Sequence, residues 1–154
     1  MAHLFSLPGS ENKPSILTRP SFDLDRTPLV SWLHEISCGE LDPRISQDLR
    51  PQLIRNLILD IVFPYTYTQD KHNTCGTIQA LKYFFHRYPG EAFRLATGLL
   101  KKEGRVAMCN GDSLIRDEDV FSSDSSFNRT LVERIFEASL MEYINGEADY
   151  QNSI

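Results

Sequence analysis

Gln69-Asp70-Lys71-His72-Asn73-Thr74-Cys75-Gly76-Thr77-Ile78-Gln79-Ala80-Leu81 is the stretch on which the reading of this chain turns. A polar, turn-rich segment runs into a cysteine, and the cysteine opens an amphipathic run. Ile78, Leu81 and Phe85 share one side of a 3.6-residue period, with Tyr83 and His86 toward its flanks. The pattern predicts a helix from Cys75 or Gly76 to about Tyr88. A cysteine in the first turn of a helix faces backbone N–H groups that have no intrahelical acceptor, and the positive end of the macrodipole. That setting favours the thiolate, the nucleophilic form. Gln69 precedes the cysteine by six residues, within chain reach of a group developing negative charge beside the sulfur. The plainer reading of Cys75 is a buried structural cysteine, since free cysteines are among the most buried residue types.

Outward from this stretch the chain reads as helices. Downstream, Pro89-Gly90-Glu91 breaks and restarts a helix that carries Ala92, Phe93, Leu95, Ala96, Leu99 and Leu100. Glu91 suits its first turn, and Gly104 lies just past its end. Arg105–Cys109 and Asp112–Arg116 flank Asn110-Gly111, which predicts a type I′ β-hairpin over about 105–116. Residues 117–128 form a Ser- and Asp-rich surface loop. Its Asp117, Glu118, Asp119 and Asp124 do not have calcium-loop spacing, so a solvated acidic loop is the reading. A last helix runs from Asn128 or Arg129 to Ile144. Leu131, Val132, Ile135, Phe136, Leu140 and Ile144 trace its apolar face, and Glu133, Arg134, Glu137 and Glu142 its wet side.

Upstream, Thr27 as N-cap and Pro28 as first helical residue predict a helix ending near Gly39. Leu29, Val30, Trp32, Leu33 and Ile36 are its stripe, with Trp32 a core anchor and Cys38 a small buried residue. A second helix, from Ser46 or Pro51 to Val62, carries Leu53, Ile54, Leu57, Ile58 and Ile61; Arg50 and Arg55 are assigned to a solvated face. Phe63-Pro64 stops it. Tyr65–Thr68 reads as loop packing in preference to a short strand. The fold expected is mainly α: about five amphipathic helices and one small hairpin. Residues 1–27 read as an extended leader, 28–146 as one helical domain and 147–154 as a flexible tail.

Composition bounds the function. A chain of 154 residues with 41% hydrophobic and 24% charged residues fits one soluble domain with an ordinary core. The net charge of −5 argues against a phosphate-neutralising surface, so no nucleic-acid partner is expected. No apolar run is long enough to span a bilayer, and the N-terminus lacks a basic n-region. The expected location is the cytoplasm, or export without a cleaved signal peptide. Cys38, Cys75 and Cys109 are an odd, widely spaced set that fits a reducing compartment. His72 and Cys75 form an H-x-x-C pair with no second pair, so no metal or other cofactor is assigned.

The Gln69–Cys75 arrangement resembles the nucleophile segment of papain-like cysteine peptidases, including the calpain-like and bacterial peptidase-like branches. In that family an oxyanion-hole glutamine precedes, by this spacing, a cysteine at the start of the central helix. The resemblance spans about residues 65–146, including Pro89–Leu95 and Ser139–Gly146, which look like the segment following the nucleophile helix. It implies Cys75 as nucleophile, Gln69 and the Cys75 N–H as oxyanion donors, and a protein or peptide substrate. The family's catalytic histidine comes well after the cysteine. Here only His86 follows, in the same helix and about three turns away. His72 is the local alternative base. The chain thus looks like the helical, nucleophile-bearing half of such a domain, with an incomplete triad and no activity expected of it alone. The alternative is a non-catalytic helical interaction module or a secreted bacterial effector. Either way, a partner chain or self-association would cover apolar helix faces left open.

Overall fold

A computed structural model describes residues 21–66, 75–121 and 129–146. Among these it holds five α-helices and one two-stranded antiparallel sheet. The helices are α1 (Leu29–Cys38), α2 (Arg50–Val62), α3 (Cys75–Arg87), α4 (Pro89–Leu100) and α5 (Leu131–Asn145). The strands are β1 (Arg105–Ala107) and β2 (Ser113–Ile115), in the register Arg105–Ile115, Val106–Leu114, Ala107–Ser113. No helix among the described residues is long and apolar enough to cross a membrane.

The helix at the centre is α4, not the cysteine-bearing α3. Glu91, Ala92, Phe93, Leu95, Ala96, Thr97, Leu99 and Leu100 are all buried, so α4 is covered on nearly every side. A helix apolar around most of its circumference has this fate. It packs against α1, α3, α5 and both strands. Phe85 of α3 meets Phe136 of α5 edge to face, with ring centroids 5.7 Å apart. One core results, from Ile36 through Leu57, Phe85, Phe93 and Leu114 to Ile135.

Several local expectations shift. Helix α1 starts one residue late: Pro28 is the extended N-cap, and Thr27 instead donates its N–H to Asp23 Oδ1 at 2.7 Å. Trp32 is half-buried, because its Nε1–H reaches out to Asp23 Oδ2 at 2.9 Å. Cys38 is exposed, on the outer side of a last turn whose Ile36 is fully buried in the core. Ile144 is exposed too, although the neighbouring Tyr143 still reaches the hairpin loop through Asp112 Oδ2 at 2.8 Å. Residues Ser21–Thr27, at the end of the expected leader, lie against α1 and α4. Gly90 N–H donates to Ser21 Oγ at 3.0 Å and Leu24 N–H to Glu91 Oε2 at 3.3 Å. The rest of the leader, Tyr67–Thr68 and the tail from Glu147 lie outside the described residues.

The hairpin forms where expected, but its turn is not type I′. That turn needs positive φ at both central residues. Here only Gly111 has it, at φ 90°, while Asn110 does not. Gly111 N–H donates to Met108 O (3.1 Å) and Met108 N–H to Asp112 O (2.8 Å). The connection is therefore a three-residue loop with a left-handed glycine at its end.

Polar residues expected on wet faces are buried where they find partners. Glu133 completes a capping box: its N–H donates to Thr130 Oγ1 at 3.1 Å, and its carboxylate accepts from Thr130 N–H at 2.6 Å. Glu137 is fully buried against Arg129, 3.1 Å away. Asp42 joins both halves of the chain. It takes Arg44 on both carboxylate oxygens at 2.9 Å and Arg116 on Oδ2 at 2.6 Å. Arg116 also caps the end of α4 through Leu99 O (2.7 Å) and Lys101 O (2.9 Å).

Candidate functional site

Cys75 opens α3 and is exposed. The thirteen residues of α3 begin with it, so its side chain stands beside the first-turn N–H groups and the positive helix end. Gly76 leaves open space next to it: a side chain there would meet nothing within 4 Å. Gln69 and His72, the other two candidate residues, lie outside the described residues.

His86 lies on the Cys75 side of α3. Eleven residues at about 1.5 Å each put it about 16 Å down the axis, out of proton-transfer range. It is exposed and stands 6.5 Å, centroid to centroid, from Tyr65 of the 3₁₀ turn Pro64–Thr66. Cys75, Gln79 and His86 form an exposed stripe, with the partly exposed Lys82 between them. Among the described residues no group of three or more His, Cys, Asp or Glu side chains is arranged to hold a metal ion.

A second feature lies on another side of the same helix. A groove of about 340 Å³ runs between α3, α4, the hairpin and α5. Ala80, Phe84, Leu95, Met108, Phe136 and Leu140 line it, and no charged side chain does. At about 100° per residue, Ala80 and Phe84 sit about 140° and 180° around the helix from Cys75. The α3 wall of the groove, which also includes Leu81 and Tyr83, is thus centred away from Cys75, which does not line it.

Arg50, assigned to a solvated face by the sequence, is a buried residue that holds the end of α1. Its Nη1 donates to Ile36 O (3.0 Å) and Ser37 O (3.1 Å). A signal was present in the sequence: an arginine immediately before Pro51, in the first turn of a helix, opposes the macrodipole and calls for a tertiary reason.

Compared with known proteins, the chain matches no family model, no curated protein and no solved structure.

Proposed function

We propose that this protein is a helical module related to papain-like cysteine peptidases that works by binding a polypeptide partner rather than by cleaving one unaided. The groove between α3, α4, α5 and the hairpin carries this reading. It is apolar, it is built from four elements, and it faces away from the one candidate nucleophile. Its walls include a single turn each of α3 and α5, which suits a few apolar side chains from one face of a partner helix.

A second reading rests on the exposed stripe that Cys75 heads. A partner lying along it would bring the missing histidine over the sulfur. Cys75 would then attack a peptide carbonyl, with Gln69 and the Cys75 N–H stabilising the oxyanion.

The test compares the purified wild-type chain with Cys75→Ala and Ala80→Glu. The readouts are hydrolysis of a fluorogenic peptide library and binding of a neutral apolar dye such as Nile red. No turnover is expected from any of the three. Saturable dye binding should survive Cys75→Ala and fall at least severalfold in Ala80→Glu, which places a charge at the groove. Turnover by the wild-type chain that Cys75→Ala abolishes would overturn the non-catalytic reading. Dye binding indifferent to Ala80→Glu would remove the groove from it.

A further inference from the structure

We infer that the depression beside Arg50 is a binding site for the paired oxygens of a small carboxylate or phosphate group. It lies between the end of α1 and the start of α2, has a volume of about 520 Å³, and is lined by Ser37, Cys38, Glu40, Gln47, Arg50 and Lys102 among others.

A guanidinium offers its Nε–H and one Nη–H side by side, spaced to match two oxygens of one anion. Arg44 presents this edge to Asp42, with Nε and Nη2 each 2.9 Å from a carboxylate oxygen. Arg94 presents it to Glu91, at 2.8 Å and 2.6 Å. Arg116 caps a helix end through Nη1, as Arg50 does, and still has Asp42 on Nη2. Its Nε also lacks an acceptor, so an idle Nε alone distinguishes nothing.

Arg50 differs in having no carboxylate on any nitrogen among the described residues. It is only 8% exposed, and its Nε is buried without an acceptor. Both of its hydrogen bonds use Nη1, leaving the Nε/Nη2 edge without an acceptor. A buried guanidinium without a counter-charge is costly, and the partial charge of two helix-end carbonyls offsets only part of it. The free edge belongs to a residue that lines the depression, and Lys102 adds a second cation there. Exposed Glu40, on the same lining, limits the net positive charge and favours a singly charged group over a polyphosphate.

Arginine Nε–H signals in ¹H–¹⁵N spectra test this on the whole chain. Sodium phosphate and sodium acetate are titrated separately at constant ionic strength, with Arg50→Lys assigning the Arg50 signal. The Arg50 Nε–H should shift saturably with at least one of the two anions, while those of Arg44 and Arg94, already occupied, stay in place. Saturation by phosphate alone, acetate alone or both supports the site and assigns its anion class. Lys102→Ala should weaken the affinity about threefold, as an exposed cation does. Should Arg50→Lys fail to fold, the wild-type comparison of the three arginines and Lys102→Ala still decide. An Arg50 signal that moves no more than those of Arg44 and Arg94, or drifts without saturating, would overturn the inference.

Discussion

Asp42 shows what one carboxylate does in this molecule. It is buried, and the side-chain hydrogen bond from Arg44 holds it well below the usual carboxylate range. The Arg44 backbone N–H and the charges of Arg116 and Arg44 act in the same direction, against the opposing effect of burial. Asp42→Asn keeps the shape and removes the charge, leaving Arg116 buried without its partner. The expected loss is about 3 kcal/mol, read as a lower urea midpoint at pH 7. The sign with pH follows from the lowered value. The stabilisation is present above the unfolded carboxylate pKa and is lost as pH falls through the folded one. The gap between wild type and variant should therefore narrow as pH drops below about 4. Arg44 and Arg116 also stack on the Phe121 ring, at 4.1 Å and 4.9 Å from its centroid. Part of their loss of order should appear as Phe121 moving.

Among the elements, α5 gives the sharpest test. Its first turn is fixed by the reciprocal bonds of Thr130 and Glu133. Thr130→Ala removes one of them and should cost about 1 kcal/mol. Hydrogen exchange should quicken first at the amides of the opening turn, before the rest of the helix. This same helix shows what could be read in advance. Leu131, Val132, Ile135 and Phe136 recur at helical spacing, and periodicity alone locates the element and its buried side. Glu133 and Glu137 also lie on buried ground, which periodicity cannot show, because burial of a charge depends on a partner elsewhere. For Glu137 that partner is Arg129, before the helix begins. Thr130-x-x-Glu133 was a legible capping signature, and it accounts for Glu133. The hairpin teaches a similar lesson. Asn110-Gly111 marks the turn correctly, while the extra residue in the loop decides its type. Of the candidate site, Cys75 at a helix start was legible from a local pattern. The groove was not, since its walls come from four elements that the sequence separates.

At the scale of the whole molecule, the strap Ser21–Thr27 joins α1 to the central helix. Gly90 makes this approach feasible: a Cβ there would collide with the backbone of Phe22 and come within 2.8 Å of Asp23 N. Gly90→Ala should push the strap off α4. Trp32, the sole tryptophan, is tied to the strap through Asp23, so its emission should shift to the red. A stability loss of about 1–3 kcal/mol should accompany the shift, as for overpacking elsewhere. An unchanged emission maximum in a folded variant would show that the strap tolerates the extra methyl.

The position of α4 has a further consequence in chain entropy. The Ser21–Gly90 bond closes a loop with a sequence separation of 69, and the Asp42–Arg116 bond one of 74. Closing one long loop is costly, but the cost grows only slowly with length, by about 0.6 kcal/mol per doubling. The two loops overlap, and both are fastened at α4: one at its first turn, the other beside its last carbonyls. Once α1 docks on α4, the chain between the fastenings is already confined, and the second closure has little freedom left to remove. Once one of the two long-range ties is made, the other therefore costs less chain entropy, with α4 as the common clasp between early and late parts of the chain.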